Sequence, residues 1–456
     1  MGQPAIYRQR HPKKSALYPC LEHYWEEFRQ ACTPFYEKDY GPLRPVVEKT
    51  VERFLECGIL RHGFARIRCG SCHEEYLLAF SCKTRYFCPS CQAKRVAAFV
   101  EWVTEEILEP VDHRQLVWTI PRVLRPTFRR DRRLLGELAR CAWRTLKDYT
   151  QARWPDPAAA PGAIVAIQTY GDQLNWHPHL HSLVSDGVWD RQGQFHPFGP
   201  LDYEVLTRLF QHHVLEMLTS QRRLSREFAD RLRCWQPSGF QVYYGPAVDR
   251  DDQSALERLS AYILRPSFAG TRLQYQAETG QIQYRTNKGL NRCLDALDWI
   301  ARLTSHIPDP HQQMVRYYGR YSNASRGKRR KQSLPAPQTT ELDSSPRTDS
   351  PAQHYARQRR RNWARLLKKI YEADPLTCPR CGSQMQIIAF IEEWTVIRKI
   401  LRHLNLGERP PRSPPPPPLL PHKLEAFLAT LSPRQAQPVR ASSDSVFWDD
   451  VPVYRG

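Results

Sequence analysis

Residues 175–184 read NWHPHLHSLV, with two histidines flanking a leucine. The alternation is that of a strand, where side chains at i and i+2 stand on one face about 7 Å apart. His179 and His181 can therefore reach one cation while Leu180 and Val184 turn to the core. Imidazole suits a borderline divalent metal, and an amide oxygen can complete a site that leaves positions open for phosphate oxygens. Residues 163–170 carry a second strand pattern, joined to the first by residues 171–178. Paired as the simplest hairpin, the two place Gln168 opposite His181 as a third ligand, and a one-residue slip would turn it away. His177, followed by Pro178, belongs to the loop end. A satisfied pair of core histidines is the competing reading.

Further along, Asp309 and Pro310 make a helix start, an N-cap followed by proline at N1. On such a helix Tyr317 and Tyr321 share a face, and Tyr318 points about 100° away. A phenol ionises near pH 10 and is a poor nucleophile unaided. A divalent cation polarising a phosphodiester would supply the missing activation. Aromatic core packing is the plainer account of the same residues.

Cysteine chemistry is concentrated in the first hundred residues, which hold eight of the 13 cysteines. Cys69 and Cys72 form one Cys-x-x-Cys pair and Cys88 and Cys91 a second, a spacing that brings four thiolates round a tetrahedral Zn2+. Gly70 and Pro89 suit the tight turns required. Such a closed site is structural, holding together a segment whose core is too small to fold alone. Cys82 and Cys57 are further candidate ligands, as are His62 and His73. Cys378 and Cys381 form half of a second knuckle whose other half is not visible, with His403 a candidate. Arg66, Arg68, Lys83, Arg85, Lys94 and Arg95 surround the first cluster, interleaved with Tyr76, Tyr86 and Phe87. That mixture suits backbone neutralisation and base stacking on nucleic acid, or an ordinary solvated surface.

The elements that must hold these groups form an α+β pattern. Strand-like runs at 115–120, 163–170, 179–184 and 240–244 alternate with amphipathic helices marked by Leu135, Leu138, Ala142 and Leu146, by Leu206, Leu209, Phe210 and Val214, and by Leu256, Leu259 and Ile263. Residues 273–275 and 282–284 flank Glu278, Thr279 and Gly280 as a hairpin. With no βαβ rhythm and no glycine-rich phosphate turn, the expectation is a mainly antiparallel central sheet with helices packed on it. Its organisation reads as a zinc-binding DNA-recognition unit at 1–105, a central unit at 106–322, a basic flexible linker at 323–353, a short helical unit at 354–408 and a Pro-rich mobile tail at 409–456. The 456 residues carry a formal charge of +20, which favours a polyanionic partner. Residues 322–370 alone hold 13 Lys and Arg against 3 Asp and Glu. Lys328, Arg329 and Arg330, and the run 357–361, are candidate DNA-backbone contacts. No apolar run approaches a membrane span, and residues 1–10 lack the apolar stretch of an export signal. Clustered Cys-x-x-Cys pairs then point to metal binding in a reducing cytoplasm.

Taken together, Phe80 to Lys83, Phe87 to Cys91, Gln168 to Gly171, His177 to His181, Arg316 to Asn323 and Asp374 to Gly382 resemble the HUH endonucleases. More narrowly, residues 45–405 resemble the two-tyrosine rolling-circle transposases of the insertion-sequence-ninety-one family. The resemblance implies an HUH nuclease-like sheet and a metal-dependent nuclease and strand transferase. It would act on single-stranded DNA at transposon ends and target through a 5′-phosphotyrosine. By position, His179 and His181 match the paired ligands of Mg2+ or Mn2+, and Gln168 suits the third. Tyr317 and Tyr321 match the nucleophiles, Tyr317 first. A histidine-triad nucleotide hydrolase, suggested by His177, His179 and His181, and a noncatalytic zinc DNA-binding protein are the alternatives.

Overall fold

The computed structural model describes residues 12–154, 156–333, 376–406 and 418–419. Its strands are β1 (Phe64–Cys69), β2 (Glu75–Ala79), β3 (His113–Thr119), β4 (Gly162–Tyr170), β5 (Trp176–Ser185), β6 (Gly187–Trp189), β7 (Phe195–Pro197), β8 (Gln241–Val248), β9 (Leu273–Gln276), β10 (Gln281–Arg285), β11 (Asn291–Asp295), β12 (Val315–Gly319) and β13 (Met385–Ile391). Five of them form the central sheet in the order β12-β4-β5-β3-β8, antiparallel throughout. The α+β class expected from the sequence is the one observed.

Every residue of β4 is buried, because helices cover both faces of the sheet. On one face Ala163, Val165, Ile167, Leu180, Val184 and Trp118 pack against the Leu134–Arg153 and Tyr203–Ser220 helices. Asp202 caps the second of these, accepting from the backbone N–H groups of Glu204 and Val205. The opposite face presents Ile164, Ala166 and Leu183 to the Pro89–Glu106 and Gln253–Ile263 helices. This second face carries the histidines.

Beside the central sheet are a two-stranded β6-β7 ribbon and two three-stranded sheets. β9, β10 and β11 form a meander, with Ile282 opposite Tyr275 and Gly280 taking the left-handed turn position at φ 66°. It packs with the Leu17–Ala31 and Ala296–Ser305 helices in a core of its own. The third sheet has the order β13-β1-β2, so residues 376–406 fold onto the amino-terminal unit and do not stand apart from it.

Two expectations change. Residues 309–321 are not helical: residues 315–319 form β12 at the sheet edge, Tyr317 opposite Ile164, and Tyr321 lies in the turn beyond. The Asp309 carboxylate, which a helix would use as its cap, instead ion-pairs with Arg44 and, at 3.6 Å, with Arg132. Val315, Tyr317 and Tyr318, which follow, are residue types that suit a strand. Residues 323–333, placed in a linker, form a helix beginning directly after that turn. The rest of the linker, the basic run at 357–361, the helix expected at 363–371 and nearly all of the Pro-rich tail lie outside the described residues. Among those described, no helix is long and apolar enough to cross a membrane.

Trp118 is fully buried, packs on Phe210 at 5.1 Å and donates from Nε1 to Ser182 Oγ at 2.8 Å. Trp118→Ala should cost about 3–5 kcal/mol, read as a shift in the urea midpoint. Burial lowers the pKa of His113 from 6.5 to about 4 and that of His306 to about 3. The unfolded chain takes up protons below pH 6.5 that these folded imidazoles refuse, so their contribution is complete above pH 6.5 and is lost as the pH falls toward 4. Urea midpoints measured at pH 7.5, 6.5 and 5 should decline in that order; a midpoint at pH 5 equal to that at pH 7.5 would contradict this.

Candidate metal and nucleophile site

His179 and His181 lie on β5 with no solvent exposure, on the sheet face covered by the Gln253–Ile263 helix. The β4–β5 register pairs Gln168 with His179 and Ala166 with His181. Gln168 thus sits one pair further along than the simplest hairpin implies, a shift of two residues that keeps it on the histidine face.

Hydrogen bonds determine which lone pairs face the site. His179 Nδ1 donates to the His177 carbonyl at 2.7 Å, which leaves its Nε2 as an acceptor. Its Nε2 lies 3.0 Å from His181 Nε2, so the two ring nitrogens converge on one point. Gln115, from β3, donates from Nε2 to His181 Nδ1 at 2.9 Å, which leaves the His181 proton on Nε2, shared with the His179 Nε2 lone pair. A cation takes the place of that proton once the Gln115 amide turns to accept from Nδ1. Gln168 donates from Nε2 to the Ile263 carbonyl at 3.1 Å, and its buried Oε1 has no hydrogen-bond partner. Both ring nitrogens of buried His177 are likewise unsatisfied. Desolvation holds the His179 pKa down at about 3 and that of His181 well below 6.5, and the positive charge of Arg265 pushes both the same way. Neutral imidazoles at pH 7 beside an orphaned amide oxygen make a donor set that fits a divalent cation.

The phenol beside this set is Tyr262, which sequence reasoning missed. It sits in the last turn of the Gln253–Ile263 helix, its ring edge-on to His181 with centroids 5.5 Å apart. The Arg265 guanidinium lies 5.1 Å from its ring centroid. Burial raises the Tyr262 pKa and Arg265 opposes the rise. The available signal was a tyrosine between Leu259 and Ile263, followed by an arginine, on a helix read only for its apolar stripe.

Tyr317 and Tyr321 are not beside the histidines. Tyr317 shares the same sheet face but lies two strands from β5, roughly 10 Å across the strands. It packs edge-on against Trp102 at 5.4 Å. Tyr321 is fully buried, with its hydroxyl 2.6 Å from His113 Nε2. His113 pairs with Ser185, four residues beyond His181 and about 13 Å along the strand. The strand conformation of residues 315–319 removes the shared helical face that would have brought both phenols to one point.

The cysteines also regroup. Cys69, Cys72, Cys88 and Cys91 do not form one site. Cys88 and Cys91, at the start of the Pro89–Glu106 helix, meet Cys57 and Cys82, the four sulfurs lying within 4.8 Å of one another. Cys69 and Cys72 instead meet Cys378 and Cys381. His403, offered as a partner for the latter pair, belongs to neither group. The ligand spacing is the same for every Cys-x-x-Cys, so spacing alone does not say which pairs meet.

Several of the arginines expected to contact DNA are occupied within the protein. Arg66 makes a two-pronged ion pair with Glu75, at 2.5 and 3.0 Å. Arg85 donates to the carbonyls of Gln312 and Asp309. Arg329 meets Glu109 at 2.9 Å. Arg68, Lys83, Arg95, Lys328 and Arg330 are exposed, and Lys94 is half-buried.

Comparison with known proteins gives these features a context. Residues 162–329 match the family model described as "Putative transposase", and residues 20–120 match that of a "Transposase zinc-binding domain". The chain is 28% identical over 377 residues to the transposase for insertion sequence element IS801 of Pseudomonas savastanoi pv. phaseolicola, covering 78% of this chain and 87% of the relative. It is 26% identical over 309 residues to "Putative transposase y4qJ" of Sinorhizobium fredii, covering 60% and 75%. No solved structure matches. The two matched regions are the one that carries the histidine face and the one that carries the first cysteine cluster, and the chain belongs to the insertion-sequence-ninety-one family of transposases.

Proposed function

We propose that this transposase nicks single-stranded DNA at transposon ends and target and transfers the strand through a 5′-phosphotyrosine, with Tyr262 as the nucleophile. The observation that carries the reading is the Tyr262 ring edge-on to His181, 5.5 Å between centroids, on the face where Gln168 Oε1 is orphaned. Mg2+ or Mn2+ held by His179, His181 and Gln168 would draw charge from the scissile phosphate. Arg265 stabilises the Tyr262 phenolate by its positive charge. The Tyr262 phenol gives its proton to water, the phenolate oxygen bonds to phosphorus, the bond to the 3′ oxygen breaks, and that oxygen takes a proton from water to become a free 3′-hydroxyl. The phosphodiester free energy is kept in the tyrosyl ester, so rejoining needs no nucleotide triphosphate.

In this reading Tyr317, on the edge strand beside Trp102 and Arg326, and exposed Arg68, Lys83, Arg95, Lys328 and Arg330 would serve the DNA path and not the bond-breaking step. A histidine nucleophile fits less well: His179 is fully buried and has hydrogen-bond neighbours at both ring nitrogens. The proposal places the protein in the cytoplasm, on DNA.

Incubating the purified chain with single-stranded oligonucleotides and Mg2+ or Mn2+, then denaturing it, should leave DNA covalently attached to protein. The adduct should vanish in Tyr262→Phe and persist in the Tyr317→Phe, Tyr321→Phe double variant. An adduct that survives the first and is lost in the second would return the nucleophile to residues 317 and 321; DNA retardation with no adduct would favour a binding protein. Because the Tyr321 hydroxyl is the buried partner of His113, Tyr321→Phe should instead lower stability by about 1–3 kcal/mol, measured by urea unfolding.

A further inference from the structure

We propose that Cys69, Cys72, Cys378 and Cys381 form a second, structural Zn2+ site that ties the carboxy-terminal segment into the amino-terminal sheet. The sulfurs of Cys69 and Cys381 are 3.5 Å apart and those of Cys72 and Cys378 3.4 Å apart, and all four lie within 4.8 Å of one another. Four thiolates at about 2.3 Å from one tetrahedral Zn2+ would stand roughly 3.8 Å from each other, which falls inside that spread. None of the four is in a disulfide.

The two halves come from positions 312 residues apart yet are built alike. In each, the first cysteine's N–H donates to a carbonyl five residues on: Cys69 to Glu74 at 2.8 Å, and Cys378 to Ser383 at 2.8 Å. In each, the residue after the second cysteine is left-handed, His73 at φ 60° and Gly382 at φ 73°. A histidine in that conformation is uncommon, and here it closes the turn that aims both sulfurs one way. Flanking strands set the halves face to face, since β13 pairs with β1 with Met385 opposite Cys69, and a Thr377–Gln384 bridge closes the second knuckle. Arg380 also approaches Glu74 across the junction, at 3.9 Å.

Ligand chemistry selects the ion. An all-thiolate set excludes hard cations and leaves no open position, which makes the site structural and not catalytic. The core beneath the site is small, with buried Ala65, Ile67, Leu78 and Met385 beside Cys69 and Cys378 and with Tyr76, Phe80, Leu376 and Ile387 packed against them, so a metal would add a cross-link between the short strands. The inference is independent of which tyrosine attacks DNA.

Zinc released from the full-length chain by denaturation should amount to two equivalents per chain. Cys378→Ser should reduce it to one, and adding Cys69→Ser should remove no more, because both belong to one site; Cys88→Ser should remove the other equivalent. One equivalent in the unaltered chain, or two retained in Cys378→Ser, would overturn the proposal. A second measurement needs no variant. Cys381 and Cys234 are both exposed, so in the native chain iodoacetamide should modify Cys234 and spare Cys381 until a chelator is added. Equal modification of the two before chelation would equally overturn it.

Discussion

Antiparallel pairing of β4 with β5 sets what every other element must accommodate. Side chains alternate along each strand, so one register places Gln168, His179 and His181 on a single face and sends Ile167, Leu180 and Ser182 to the other. The Gln253–Ile263 helix then covers the polar end of that face. It contributes the Ile263 carbonyl that orients Gln168 and the Tyr262 ring that meets His181. Removing water from this layer keeps the imidazoles uncharged, and uncharged imidazoles are the ones with lone pairs to give. Burial that would be a cost for an isolated histidine becomes useful where several donors converge.

Much of the scaffold could be read from periodicity. Four of the five central strands, β3, β4, β5 and β8, stand out as apolar runs, and the three amphipathic helices and the β9–β10 hairpin have apolar residues repeating at the period of the observed element. The histidine face was legible for the same reason: a two-residue period survives a register shift of two, so Gln168 remained on the correct side although its partner changed. The segment 309–321 was misread because Asp309 followed by Pro310 imitates a helix start, while Arg44 and Arg132, far away in sequence, claim the carboxylate. Tyr262 was hidden because one residue's distance from a strand 80 positions earlier has no local signature. Cysteine partition was illegible on the same grounds.

Net charge proved a coarse guide to surface. Several of the arginines that contribute to +20 hold the fold together, bonding to main-chain carbonyls or carboxylates, as Arg132 does with Ser305 and Ile307. Gly162 makes a related point about space. A Cβ there would lie 2.6 Å from the Tyr321 ring, so that glycine leaves the volume in which a buried phenol can reach His113. Within the stretch 316–323, Tyr321 packs into the sheet, and its hydroxyl meets His113.

The third strand of the amino-terminal sheet, β13, arrives late. At a synthesis rate of about 5–20 residues per second, the 312 positions between Cys69 and Cys381 separate them by roughly 15–60 s on the ribosome. By the end of that interval the whole central sheet has emerged, while β1 still has β2 on one side and an unpaired edge on the other. A nascent chain therefore exposes a row of open backbone donors and acceptors beside two unfilled cysteines. Truncated copies of the gene product that stop before residue 385 would carry that open edge permanently, and self-association through it is the physical hazard they inherit.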